Sequence, residues 1–184
     1  MNGETIKVLI SESDIQKKVA ELAAQLSKDY AGKPLTLVCM LKGGVVFMAD
    51  LARKLDFSVD FDFIEASSYG DATISGGSVK ILKDLSKSAT GKNILLVEDI
   101  IDTGISLSHI IKHLRAQNPE SLRTCVFLDK PSRRVVGDLT PDYVGFTIPD
   151  EFAVGYGLDY AQRYRNLPYI AVLSPSVYSA KIDY

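Results

Sequence analysis

Short apolar runs alternate with amphipathic segments along the chain, and this alternation predicts its secondary structure. Apolar positions at helical spacing behind Ser11 or Ser13 predict a first helix that ends near Gly32 and Pro34. Buried strands are predicted at 35–41, 59–64, 94–97 and 122–128, helices at 45–55 and around 107–114, and further strands at 143–148 and 169–173. Strands alternating with helices indicate βαβ units, so we expect an α/β fold with a mainly parallel sheet covered by helices on both faces.

One segment interrupts this pattern. Residues 65–80 are rich in Ser and Gly and poor in core residues. Loops of this length are usually functional lids or disordered, and the residues alone leave both interpretations open. No repeat and no break in composition marks a linker, so we expect a single domain.

Composition excludes several classes of protein. The 184 residues carry 21 basic and 23 acidic side chains, a formal net charge of −2, which argues against a general basic nucleic-acid binder. No run of about 18 uncharged apolar residues occurs, and residues 1–10 lack the features of a signal peptide. Cys39 and Cys125 lie in apolar runs and are expected to be buried thiols. We therefore expect a cytoplasmic protein without a membrane segment.

A segment after the third predicted strand carries the clearest chemical signal, because ligands of open α/β sheets bind beyond the carboxyl ends of strands. It consists of Glu98, Asp99, Ile100, Ile101, Asp102, Thr103, Gly104, Ile105 and Ser106. Its second half offers hydroxyl groups and a glycine where a helix begins, as a phosphate site requires. Its three carboxylates suit sugar hydroxyls, Mg²⁺ or proton transfer; alternatively, they are solvated loop charges. Together the two halves predict a sugar-phosphate site.

Residues 97–104 (VEDIIDTG) resemble the phosphoribosyl-pyrophosphate (PRPP) motif of the type I phosphoribosyltransferases, in the form found in the hypoxanthine-guanine branch. Further segments match that family in the same order: Leu41-Lys42-Gly43-Gly44, Ser67-Ser68-Tyr69-Gly70, Lys130, and 152–160 with Arg165. The resemblance implies the type I fold over 1–184, with a small hood built from the N- and C-terminal segments. It also implies a flexible loop at about 66–80 that carries Ser68 and Tyr69.

The reaction that the resemblance implies is purine salvage. A 6-oxopurine, hypoxanthine or guanine, would displace pyrophosphate from PRPP to give IMP or GMP, with Mg²⁺ as cofactor. The residues implied in binding PRPP and its phosphates are Lys42, Gly43, Glu98, Asp99, Asp102, Thr103, Gly104, Ser106 and Arg165. Glu98 and Asp99 would hold the ribose diol and one Mg²⁺, and Asp159 a second. A non-proline cis peptide at Leu41-Lys42 is implied as well.

The resemblance also assigns the purine end of the site. Asp102 is the implied general base or acid at purine N7. Lys130 can only donate hydrogen bonds, so it favours a 6-oxo group over the 6-amino group of adenine. Phe152 would stack on the purine ring. Ala153 stands where the human-type sequence has valine, which leaves the fit around the purine 2-position open.

Two alternatives to this function remain at the level of sequence. One is a regulator that keeps the PRPP fold but binds nucleic acid, and the other is a transferase that prefers xanthine. The first is disfavoured by the net charge, although Arg133 and Arg134 could form a small basic patch with nearby lysines. We expect no nucleic-acid partner and no membrane partner, and the family resemblance implies a homodimer or a homotetramer.

Overall fold

Two β-sheets and four helices form the part of the chain that the computed structural model describes, residues 6–69 and 78–178. The strands are β1 (Ile6–Ile10), β2 (Thr36–Leu41), β3 (Asp60–Tyr69), β4 (Ser78–Lys83), β5 (Asn93–Ile101), β6 (Ser121–Asp129), β7 (Tyr143–Thr147), β8 (Ala153–Val154) and β9 (Ile170–Leu173). The helices are α1 (Glu12–Asp29), α2 (Val45–Ala52), α3 (Ile105–Arg115) and α4 (Pro175–Tyr178), with a 3-10 turn at Pro131–Arg133.

The larger sheet has the strand order β4-β3-β2-β5-β6-β7, and only β4 runs antiparallel to its neighbour. From β2 the chain continues to β3 on one side, whereas from β5 it continues to β6 and β7 on the other. The strand order therefore reverses between β2 and β5. In open α/β sheets, such a reversal leaves a crevice in which ligands bind.

Both faces of this sheet are covered, which explains why its strands appear in the sequence as continuous apolar runs. On β2, Leu37 and Cys39 belong to the core that includes α1 and α2, whereas Val38 and Met40 belong to the core that includes α3. The α/β fold predicted from the sequence is confirmed.

The smaller sheet joins the two ends of the described chain. Its order is β1-β9-β8 with antiparallel pairing, so the first strand pairs with the last. Neither β1 nor β8 was predicted from the sequence. In β1, Val8 is half exposed, and β8 is only two residues long, so neither has a long buried apolar run.

Helix α1 begins as predicted. Ser11 caps it, because the Ser11 hydroxyl accepts a hydrogen bond from the Asp14 N–H at 3.2 Å. Ile15, Val19 and Leu22 form part of its buried stripe. The described helices include none that is long and apolar enough to cross a membrane.

The predicted loop at 66–80 needs a correction, because its two ends are strands. Ala66 pairs with Ile81 and Tyr69 with Ser78, so β3 and β4 form an antiparallel ladder. Val79 of β4 is buried in this ladder. The Ser and Lys residues around it break the apolar pattern, so the sequence gives no clear signal for the strand. The segment 70–77 lies outside the described residues.

Candidate active site

A cleft of about 260 Å³ opens at the carboxyl end of the sheet, next to the reversal of strand order. Pairing between β2 and β5 ends at Cys39 and Val97, whereas β5 stays paired with β6 as far as Ile101 and Asp129. Residues from β2, β3, β5, α3 and the loop between β5 and α3 line the cleft: Met40, Ala66, Glu98, Asp99, Ile100, Ile101, Asp102, Thr103, Gly104, Ser106 and Leu107. Six of the predicted site residues thus share one cavity.

The two adjacent carboxylates lie on β5 itself and not in a loop after it, which corrects the sequence-based boundary. The strand continues past Val97 because β6 still pairs with it there. Glu98 is buried, and its Oε1 accepts a hydrogen bond from the Asp99 N–H at 3.2 Å. Burial, and then the Asp99 carboxylate, raise the pKa of Glu98 well above its usual range. The pair therefore favours uptake of a proton or a cation.

The loop between β5 and α3 has the backbone of a phosphate site. Gly104 has φ +83°, and α3 begins at the next residue. The Ile105 N–H donates a hydrogen bond to the Thr103 hydroxyl oxygen at 3.4 Å. The first N–H groups of a helix lack intrahelical partners, so the amino end of α3 attracts anions. Ser106, on this first turn, lines the cleft.

The loop Lys42-Gly43-Gly44 follows β2 and approaches Asp99 of the acidic pair from the other side of the crevice. The peptide bond Leu41-Lys42 is cis, as the resemblance implies. A Cβ atom on Gly43 would overlap the carboxylate of Asp99, and one on Gly44 would lie 2.9 Å from the Met40 carbonyl oxygen. A side chain at position 44 would therefore require the backbone at Met40 to shift, whereas one at position 43 would displace the Asp99 carboxylate.

A segment from the C-terminal part of the chain packs on the same loop. Gly157 has φ +103°, and a Cβ atom there would overlap the Gly43 carbonyl oxygen. Arg165 donates a hydrogen bond from Nη1 to the Gly157 carbonyl at 2.7 Å. Its Nη2 lies 2.7 Å from Oδ1 of Asp159. The proposed metal ligand Asp159 and the proposed phosphate ligand Arg165 thus form an ion pair with each other.

The predicted purine-binding residues lie outside the 260 Å³ cleft. Lys130 is buried, and its backbone N–H donates to the Ile101 carbonyl at 3.0 Å, which places it beside the loop that carries Asp102. Phe152 is 36% exposed and contacts Tyr160 edge to face, with ring centroids 5.6 Å apart. Ala153 is buried in β8 and pairs with Val172. These residues therefore belong to two separate segments.

The predicted loop residues Ser68 and Tyr69 form the end of β3. Their backbones pair with Val79 and Ser78 of β4. Ala66, two residues earlier than Ser68 on β3, lines the cleft, so this ladder extends from its edge.

Two contacts at the site were not predicted from the sequence. Arg133, considered only as part of a surface patch, donates from Nε to Oδ1 of Asp102 at 3.0 Å. Its neighbour Arg134 is mostly buried and pairs with Asp129, so the two arginines do not form one basic patch. The Tyr156 hydroxyl donates to Asp50 at 2.8 Å and ties the segment of Gly157 to α2. The sequence shows only that these residue types can form such contacts. It does not show which residues meet, because each contact joins distant parts of the chain.

Comparison with known proteins agrees with this architecture. The model of the family described as "Phosphoribosyl transferase domain" matches residues 11–161. The chain is 50% identical over 180 residues to the hypoxanthine-guanine phosphoribosyltransferase of Bacillus subtilis, covering 98% of this chain and 99% of the relative.

Solved structures give the same result. A crystal structure of a hypoxanthine phosphoribosyltransferase from Staphylococcus aureus has a TM-score of 0.89 at 50% identity, covering 94% of this chain and 93% of that one. A mutant of the Trypanosoma cruzi hypoxanthine phosphoribosyltransferase in a ternary substrates complex has a TM-score of 0.88 at 40% identity, covering 94% and 97%. The chain therefore belongs to the phosphoribosyltransferase family, in its hypoxanthine-guanine phosphoribosyltransferase branch.

Proposed function

We propose that the protein transfers the phosphoribosyl group of PRPP to hypoxanthine or guanine, forming IMP or GMP and pyrophosphate. The observation that carries this proposal is the cleft at the strand reversal, where an acidic pair meets the amino end of α3. The relatives described above carry the names of enzymes of this reaction.

The two sides of the crevice suit the two ends of PRPP. Thr103, Gly104 and Ser106 would bind the 5′-phosphate through hydroxyl and backbone N–H groups at the start of α3. Lys42 and Gly43 would bind the pyrophosphate, since two glycines let a phosphate approach the backbone of this loop. Contact between Gly43 and Asp99 keeps these two subsites adjacent, which supports binding of one substrate across both.

The charge distribution suits the transition state of this displacement. Positive charge grows on the ribose while negative charge grows on the leaving pyrophosphate. Glu98 and Asp99 would accept hydrogen bonds from the ribose hydroxyls and stabilise the developing positive charge. Arg165, whose planar guanidinium matches phosphate oxygens, would exchange its contact with Asp159 for the pyrophosphate.

The donor set also fits Mg²⁺. Within the described residues no three acidic, histidine or cysteine side chains form a preorganised metal site. This suits an ion that keeps several waters and binds through one or two carboxylates together with substrate phosphates. Asp159, and the pair of Glu98 and Asp99, are the residues that would hold it. When bound, Mg²⁺ would neutralise charge on the pyrophosphate.

The purine end requires proton transfer and recognition of the 6-oxo group. Asp102 would exchange a proton with purine N7, and Lys130 would donate a hydrogen bond to the 6-oxygen. Phe152, which is 36% exposed, would stack on the base, and Ala153 follows it at the 2-position side. The end of the β3–β4 ladder, with Ser68 and Tyr69, would cover PRPP and exclude water.

The decisive experiment is an assay for nucleotide formation that depends on PRPP and Mg²⁺, with hypoxanthine, guanine, xanthine and adenine in parallel. We expect IMP and GMP as the main products. Product formation with none of the four bases would refute the proposed activity. Xanthine as the best substrate would favour the alternative base preference, and adenine as the best substrate would refute the role of Lys130.

The role of Asp102 is tested by Asp102→Asn, which keeps the shape of the side chain but cannot accept the proton. We expect turnover to fall by about 100-fold, the usual contribution of a general acid or base, with PRPP binding largely retained. Asp138→Asn, the same change at an exposed position, is the control. Normal turnover of the Asp102 variant would remove this residue from the proton transfer.

Assembly and location follow from the proposed enzyme. We expect a single domain over 1–184 that forms a homodimer or homotetramer, which light scattering would distinguish from a monomer. A cytoplasmic location suits the proposed substrate, because a sugar carrying three phosphate groups does not cross a membrane unaided.

A further inference from the structure

Arg133 links two segments that carry proposed site residues. Its guanidinium donates from Nε to Oδ1 of Asp102 at 3.0 Å and lies 3.8 Å from Oδ1 of Asp150. Asp102 is on the loop between β5 and α3, and Asp150 precedes Phe152 on the connection between β7 and β8. One side chain therefore connects the proposed proton-transfer group with the segment proposed to hold the purine.

Backbone hydrogen bonds on both sides of Arg133 hold it opposite Asp102. The Lys130 N–H donates to the Ile101 carbonyl at 3.0 Å, and the Val135 N–H donates to the Thr103 carbonyl at 3.1 Å. The segment 130–135 thus runs alongside 101–103, the residues that flank Asp102. In between, the 3-10 turn closes with the Arg133 N–H donating to the Lys130 carbonyl at 3.1 Å. The backbone at Arg133 is therefore held beside the loop of Asp102, and the two side chains complete the contact.

The contact between Arg133 and Asp102 is better suited to orienting the Asp102 carboxylate than to stabilising the fold. Both side chains are about half exposed, 48% for Arg133 and 43% for Asp102, and exposed ion pairs stabilise a fold little. Arg133 engages Oδ1, and none of the hydrogen bonds found in the described part of the chain involves Oδ2 of Asp102. A carboxylate held by one oxygen keeps the other oxygen at a defined angle for a second partner.

We propose that Arg133 is a positioning residue, which fixes the Asp102 carboxylate so that its second oxygen faces the purine. The Asp150 carboxylate, whose Oδ1 lies 3.8 Å from the same Nε, places a second negative charge beside the guanidinium and so relates this orientation to the segment of Phe152. The inference rests on the proposed function, because it assigns Asp102 the proton transfer. Arg133 itself touches no reacting atom in this assignment.

The test compares Arg133→Gln and Arg133→Lys with the wild type in steady-state assays with hypoxanthine. We expect kcat to fall about tenfold in Arg133→Gln, part of the contribution of a well-oriented acid or base, while KM for PRPP changes less than about twofold. Lysine restores the charge but not the planar Nε–H donor, so we expect partial recovery in Arg133→Lys. Arg115→Gln, an exposed arginine at the end of α3, is the control.

A double-mutant cycle shows whether Arg133 acts through Asp102. In the Asp102→Asn background, Arg133→Gln should lower kcat by less than about twofold, because the group that it orients no longer transfers a proton. The same tenfold loss in both backgrounds would overturn the proposal, as would unchanged or increased kcat in the single Arg133→Gln variant.

A second variant covers the case in which Arg133→Gln fails to fold. Asp150→Asn leaves Arg133 in place but removes the charge of its second, longer contact, and we expect a loss of kcat in the same direction but smaller, about twofold to threefold. Unchanged kcat in Asp150→Asn would then overturn the proposal. Wild-type protein without transferase activity refutes the proposed function, whereas an active wild type with normal variants refutes only the positioning role.

Discussion

Glycine at position 157 is required by a contact between two loops of the site. Its φ of +103° is one that other residues rarely adopt, and any Cβ there would overlap the Gly43 carbonyl oxygen. Through this contact the C-terminal segment packs directly on the proposed pyrophosphate loop. The loop therefore takes its position partly from residues more than a hundred positions away.

We expect Gly157→Ala to raise KM for PRPP at least about tenfold, because the pyrophosphate loop must move away from the C-terminal segment to accept the new methyl group. Gly137→Ala is the matched control, since Gly137 has ordinary φ and a Cβ atom added there would meet nothing within 4 Å. Steady-state kinetics with varied PRPP provide the measurement. Equal KM in both variants would show that the contact does not position the loop.

Residue types predicted part of the site, and the contacts between segments explain why the rest was missed. The hydroxyls and glycine at 103–106 are neighbours in the sequence, so their joint role at a helix start can be recognised locally. The contact of Arg133 with Asp102 depends on the register between β5 and β6 and cannot be predicted from residue spacing. The same holds for the hydrogen bond between Tyr156 and Asp50, which joins two distant segments.

At the scale of elements, β3 departs from the usual rule that apolar side chains are buried and charged ones are exposed. Phe61 is half exposed, whereas Asp62 next to it is buried. The Asp62 carboxylate accepts hydrogen bonds from the N–H groups of Ser86, at 2.9 Å, and Phe63, at 2.8 Å. It thereby ties β3 to the connection between β4 and β5. Desolvation raises the pKa of Asp62, but these hydrogen bonds outweigh it, and the net pKa is lowered.

Asp62→Asn should therefore destabilise the protein in a pH-dependent way. A carboxylate with a lowered folded pKa stabilises the fold above its unfolded pKa, about 4, and loses this effect as the pH falls through the folded value. We expect a loss of about 2 kcal/mol at pH 7 that shrinks below about pH 4. Urea unfolding at several pH values measures it, with exposed Asp60→Asn as control. A constant difference across the pH range would contradict this expectation.

The strands also show where patterns in the sequence suffice. Continuous apolar runs predicted β2 and β6 to within about one residue, because both faces of these strands are buried. The ladder of β3 and β4 was missed, since β4 buries Val79 but exposes Leu82 to 54%. The end of β5 was placed too early because its last residues include two carboxylates, whose burial depends on the cleft.

At the scale of the whole molecule, the two cysteines can be used to detect unfolding of the hydrophobic core in which both are buried. Cys39 and Cys125 belong to one hydrophobic cluster that joins α1, α2 and the central sheet. Burial, and then the charges of Glu98 and Asp99, raise the pKa of Cys39 to about 12. Burial raises the pKa of the Cys125 thiol as well. Both thiols thus stay protonated and inaccessible at neutral pH, which makes them unreactive.

We expect iodoacetamide to label neither thiol in the native protein at about pH 8, and both together once denaturant unfolds the chain. Mass spectrometry along a denaturant series measures the two labelling curves. Coincident curves are the outcome for a single cooperative domain. Labelling of one cysteine well before the other would show that parts of the molecule unfold independently, against the proposed single domain.

The pairing of β1 with β9 has a consequence for synthesis of the protein. Ile6 pairs with Leu173, and Ile10 with Ile170, so the first strand has no partner in its sheet until β9 has left the ribosome. At about 5–20 residues per second, this delay lasts on the order of ten seconds. During that time β1 is an unpaired edge, open to unproductive association. Nascent chains stalled before and after β9 should therefore differ in how strongly a general chaperone retains them.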